Sequence, residues 1–88
     1  MTSPTMTLQD LKFHPAHNHH CLLHFQDGST IGGVYRAYFQ QEPDQLYLVR
    51  STDLIAFKPL MDAQDEVAMR PYCLTLDPSK VVAIERLM

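Results

Sequence analysis

The sequence predicts an all-β domain: a small, strongly bent, five-stranded barrel preceded by a short N-terminal helix. Three observations lead there. Between His19 and Phe39, alternating apolar and polar residues fold back across an Asp-Gly turn. A glycine pair, Gly32-Gly33, falls inside the second of these strands, where a curling sheet needs a bend. Further short apolar runs at 46–50, 72–76 and 81–87 are bounded by turns carrying Pro and Asp.

Composition bounds the class. With 88 residues the chain makes one domain, since proteins of this size bury only about 60–65% of their unfolded surface. A hydrophobic fraction of 45% is that of a folded globule and excludes wholesale disorder. Seven Lys and Arg against ten Asp and Glu give a net charge of -3, the wrong sign for a dedicated nucleic-acid binder. No apolar run approaches the ~18 residues of a membrane span. The opening MTSPTMTLQD lacks a basic flank followed by an apolar stretch, so no secretory leader is expected. Two cysteines are too few for a disulfide scaffold and fit the reducing cytoplasm. The expected organisation is a flexible end over 1–6 and a single barrel domain over 7–88.

The elements follow in order. Thr7 with Asp10 three residues on resembles a capping box, so Leu8 to Lys12 is expected to form a short helix, ended before His14-Pro15. In the first strand Cys21, Leu23 and Phe25 share the apolar phase; in the second Ile31, Gly33, Tyr35, Ala37 and Phe39 do. A two-residue turn would set Ile31 opposite His24 and split these faces. A three-residue loop, Gln26-Asp27-Gly28, pairs Leu23 with Ile31 and Cys21 with Gly33, and puts Gly28 at the left-handed position. Leu46 to Arg50 is apolar on both phases and reads as an interior strand. The stretch Thr52 to Arg70 is less legible: Leu54 to Phe57 fits strand or loop, Pro59 interrupts, and Asp62 to Met69 fits a helical turn around Val67. Tyr72 to Leu76 is a fourth strand, Asp77 to Lys80 a 3₁₀ turn, and Val81 to Leu87 the last strand.

This layout resembles the Sm-like family of small β-barrels. Phe25-Gln26-Asp27-Gly28-Ser29-Thr30-Ile31-Gly32-Gly33 is similar to that family's first motif, in which Asp-Gly is followed by two variable residues, Ile, one residue and Gly. The likeness covers His19 to Val49 well and Tyr72 to Leu87 loosely; Src-homology-3-type barrels share the same layout. The resemblance implies the barrel fold but not the family's RNA site. Phe39 stands where the family has Asp near the end of the second strand, and Asp44-Gln45 where it has Asn. Asp77-Pro78-Ser79-Lys80 replaces its Arg-Gly signature.

Few residues suggest chemistry. All five histidines fall between His14 and His24, with Cys21 among them, and imidazole with thiolate suits zinc or copper. On a strand, however, His20 and His24 lie about 13 Å apart. Only His14, His17 and one of His19 or His20 can converge, all from a loop, so a polar loop entering a strand is the favoured reading. Cys21 and Cys73 read as small buried hydrophobes, with no motif that would activate a thiol. No nucleophile elbow or phosphate loop is present. Neither catalysis nor a cofactor is therefore expected.

What remains is surface. Val34, Arg36 and Tyr38 face away from the core phase of the second strand, and Leu22 joins them on the first; on the third either Leu46 and Leu48 or Tyr47 and Val49 face outwards, with Tyr47 as the candidate. This face is either covered by Leu54 to Met69 or used in a contact. The expected role is a non-catalytic binding or assembly module that contacts a partner protein or a second copy of itself. The alternatives are an Sm-like RNA binder using Arg36, Arg50, Lys58 and Tyr38, or a histidine-rich metal-binding domain.

Overall fold

A computed structural model describes residues 6–87. Its first element is the expected helix, α1 (Leu8–Lys12). Thr7 Oγ1 accepts from the Asp10 N–H at 3.1 Å while Asp10 Oδ2 accepts from the Thr7 N–H at 2.9 Å. That reciprocal pair satisfies two donors that five residues of helix cannot. Leu11 is fully buried beneath the helix, and Lys12 Nζ reaches Asp44 at 2.8 Å. The flexible end expected over 1–6 lies outside the described residues except at Met6. That residue is tied down: it is half-buried, and its N–H donates to the Val81 carbonyl at 3.0 Å.

Strands β1 (His20–Phe25) and β2 (Thr30–Arg36) form the hairpin in the register the apolar phases require, with Leu23 opposite Ile31 and Cys21 opposite Gly33. The loop has three residues. The Phe25 N–H donates to Ser29 O at 2.9 Å, and Gly28 takes φ 91°, which any side chain would resist. Asp27 accepts from the Ser29 N–H and hydroxyl at 2.8 and 2.6 Å, and these bonds hold its carboxyl below the usual carboxylate range. At Gly33 the sheet coils so tightly that an added Cβ would collide with the Val49 carbonyl.

β3 (Tyr47–Arg50) explains its own doubly apolar sequence. Leu46 and Leu48 enter one core with Leu11, Cys21, Leu23, Tyr35, Leu76 and Val81; Tyr47 and Val49 enter a second with Phe39, Phe57 and Met69. Successive strand side chains point to opposite faces, so a strand covered on both must be apolar throughout. Both faces of the sheet are thus used: α1 lies on the first, and the segment after β3 on the second.

That segment corrects the all-β expectation. A 3₁₀ turn (Ser51–Asp53) leads into α2 (Leu54–Asp62), followed by α3 (Glu66–Met69) and a second 3₁₀ turn (Arg70–Tyr72). The protein is a small mixed α/β fold. Pro59 lies inside α2, where it removes a backbone donor. Burial of Phe57 to 2% exposure, with Leu54, Leu60 and Met61 packed around it, outweighs that loss.

The five strands make one antiparallel sheet in the order β4-β3-β2-β1-β5, and it does not close. β4 is only Leu74–Thr75 rather than Tyr72 to Leu76, because the preceding 3₁₀ turn takes Tyr72. β5 (Val81–Arg86) pairs with β1 through a register shift at His24/Phe25. The 3₁₀ turn before β5 spans Pro78–Lys80. Asp77 caps it, accepting from the Ser79 N–H and hydroxyl at 3.0 and 2.7 Å.

Candidate functional site

The residues expected on the outer face divide into three groups. Val34 and Arg36 leave β2 towards α2, and Tyr38 follows where the chain turns out of the strand; all three are half-buried. They line a cleft of about 290 Å³ together with Leu54, Phe57, Lys58 and Met61 of α2, with Asn18 at its mouth. A second recess, of about 570 Å³, shares Arg36, Tyr38 and Met61 with the first and runs on past Gln40 and Pro43 to Glu66. Leu22 is half-buried opposite Gly32, beyond the cleft. Tyr47 is 8% exposed and belongs to the second core, so it offers no surface.

Two of the cleft's walls are held rigidly. The Tyr38 ring meets Phe57 edge-on at 5.2 Å, and Phe57 meets Tyr72 at 6.2 Å, arrangements that aromatic quadrupoles favour. The Tyr38 hydroxyl donates to the Val34 carbonyl at 2.8 Å, and burial pushes its ionisation far above neutral pH. At the far end Arg70 works as a clasp. Its guanidinium lies 3.8 Å over the Phe39 ring, donates to the Tyr47 hydroxyl at 3.2 Å and pairs with Glu42. Tyr47 in turn donates to Glu42 at 2.6 Å. Bonds from Arg70 and then Tyr47 hold the Glu42 carboxyl below its usual range.

Arg36 is in a different state. Among the described residues the ion pairs are Lys12–Asp44, His24–Glu85, Lys58–Asp62 and Arg70–Glu42; Arg36 is in none of them. Its guanidinium stands 5.5 Å from the Tyr38 ring centroid. Lys58 is tied to Asp62 at 3.2 Å on the exposed side of α2.

The histidines do not converge. His14 Nδ1 accepts from the Ala16 N–H at 3.0 Å, and His17 packs edge-on against Tyr35 at 5.5 Å. His20 Nε2 contacts Ser51 Oγ at 2.5 Å, His24 Nε2 contacts Glu85 at 2.9 Å, and His19 is exposed. Among the described residues no three His, Cys, Asp or Glu side chains are grouped to hold a metal ion. Burial first, then the charges of Arg36, Lys12 and His19, hold the His17 imidazole below its ordinary value. Cys21 lies in the first core and Cys73 beside the second, on opposite faces of the sheet. Burial pushes both thiols up to about 11, so at neutral pH each is protonated and a weak nucleophile.

What the arrangement can do is bind. It offers an aromatic and aliphatic floor, a cation with no carboxylate partner among the described residues, and a side-chain amide. The α2 half of the cleft was missed in the sequence, although Leu54, Phe57 and Met61 stand at i, i+3 and i+7, the spacing of one helix face. No protein-family model, curated protein or solved structure matches this chain. No helix among the described residues is long and apolar enough to cross a membrane.

Proposed function

We propose that the chain is a non-catalytic binding module that acts through protein–protein contacts, with the cleft between β2 and α2 as its contact surface. One observation carries the reading. The segment after β3 buries Tyr47 and Val49 of the third strand yet leaves Val34, Arg36 and Tyr38 lining an open, apolar-floored hollow of about 290 Å³. Such concave apolar surface on a small protein serves recognition more often than it is left idle. The same reading places the chain in the cytoplasm, where the free thiols of Cys21 and Cys73 stay reduced. Kinship with the small β-barrels is part of the proposal. It is supported by the short capped helix, the glycine in the second strand that lets β3 approach closely, and the 3₁₀ turn ahead of β5.

Peptide phage display on the immobilised protein tests the reading. Peptides selected on the wild type are expected to lose binding to Met61→Glu and to Val34→Glu, and to keep it for Arg50→Gln on the exposed end of β3. Native mass spectrometry of the same samples gives the subunit count. Failure to enrich any peptide, or equal retention by all three variants, overturns the cleft as the contact surface.

A further inference from the structure

We propose, building on that reading, that the cleft takes an acidic segment of a partner protein, with an apolar side chain on its floor and an adjacent Asp or Glu carboxylate on Arg36. The first ground is the state of Arg36. The other cations on this face have their carboxylates: Lys58, which also lines the cleft, has Asp62, and Arg70 at the rim has Glu42. Arg36 is half-buried, lines both hollows and has none among the described residues. A guanidinium presents a planar fork of donors that matches a carboxylate through two parallel bonds, and its partial removal from water makes the missing partner costly.

The second ground is where the charge sits. The floor around Arg36 is Val34, Tyr38, Leu54, Phe57 and Met61, so the cation stands at the edge of a low-dielectric surface where a carboxylate would be attracted most. Its field is already felt on the protein's own groups, since Arg36 is the foremost charge opposing protonation of His17. The chain's net charge of -3 does not oppose this at physiological salt, where charges beyond about 8 Å are largely screened and the nearest ones decide. Glu66 also lines the adjoining recess and sets polarity: the partner's acidic residue belongs at Arg36 and away from Glu66. A hollow of about 290 Å³ admits one or two side chains and not a whole helix. That argues for an extended segment.

Three matched peptides provide the test. Each has a Gly-Ser-flanked core of alternating Leu and acidic, neutral or basic residues: Glu, Gln or Lys. They are titrated into the 15N-labelled full chain at physiological salt, with wild type, Arg36→Gln and Arg50→Gln compared. The Glu peptide is expected to shift the amides of 34–39 and 54–61 and to bind about tenfold tighter than the Gln peptide, with the Lys peptide weakest. Arg36→Gln is expected to abolish the preference of Glu over Gln while the spectrum away from the cleft stays unchanged; Arg50→Gln is expected to keep it. Equal affinity of the Glu and Gln peptides at the cleft overturns the carboxylate inference and leaves the protein-binding reading standing. Shifts confined to Arg50, Lys80 or Arg86 overturn it as well. So do concentration-dependent shifts at the cleft without peptide, which would assign it to a second copy of the chain. Absence of binding by all three peptides overturns it too, and together with an empty display selection removes the proposed function.

Discussion

The two faces of the sheet are built on different terms. The α1 face is sealed. Leu11, Ala16, Cys21, Leu23, Tyr35 and Val81 are fully buried, and the lone hydroxyl among them, that of Tyr35, donates to the Leu11 carbonyl at 2.8 Å. The α2 face is mostly aromatic and held at its rim by the Arg70 clasp, and it stays open along one side, where Val34, Arg36 and Tyr38 remain half-buried. The sealed face supplies stability in the ordinary way, by removing apolar area from water at close packing. The other gives up part of that gain and keeps a recognition surface. In a chain this small, one face can be open only because the other is complete.

The largest effect that breaks the comparison lies in the sheet itself. Gly33→Ala would drive a methyl into the Val49 carbonyl, so a loss of about 3 kcal/mol or more, or failure to fold, is expected in urea titration. Gly28→Ala meets open space and suffers only from its φ of 91°, for about 1–2 kcal/mol. Equal losses at the two glycines would mean that the coil at Gly33 is not as tight as described.

The faces themselves come next. Leu23→Ala on the sealed side is expected to cost about 2–5 kcal/mol, because the surrounding core cannot collapse into the space. Met61→Ala, half-buried on the cleft wall, is expected to cost under about 1 kcal/mol. Comparable values by the same titration would show that the cleft face carries as much of the fold as the other.

The smallest effect is in pH. The folded His17 imidazole protonates below its ordinary value of 6.5, so the unfolded chain binds the proton first. Stability is therefore full above 6.5 and falls as pH drops from there towards the folded value. His17→Gln is expected to flatten the curve in that window. The carboxylates of Asp27, Asp77 and Glu42 act in a separate one, below their ordinary 3.8 to 4.5. An unchanged slope in the variant would place the titration elsewhere.

The parts of the molecule legible in the sequence are those fixed by neighbours along the chain. Two apolar phases allowed one loop length between β1 and β2; Thr7 with Asp10, and Asp77 with Ser79, cap by contacts within three residues. α2 was hidden because its evidence is tertiary. It has no side-chain cap at Asp53, and Pro59 interrupts the Leu54, Phe57, Met61 spacing, so that short apolar stripe gains its weight only from packing with Tyr38 and Val49. Phe39 misled for a related reason. It shares its phase with Tyr35, but β2 stops at Arg36 and the turning chain delivers Phe39 to the opposite core. Of the candidate face, Val34, Arg36 and Tyr38 line one hollow, although β2 ends at Arg36. Tyr47 was withdrawn by α2 and Arg70, and Leu22 by its place along the strand.

The distribution of tyrosines over these two faces has an optical consequence. The chain has no tryptophan, and of its four tyrosines only Tyr35 lies in the sealed core, while Tyr38, Tyr47 and Tyr72 pack on the cleft side. Three of the four phenols therefore report on the face that carries the hollow, and docking beside Tyr38 can be followed through the tyrosine ultraviolet signal without any attached dye.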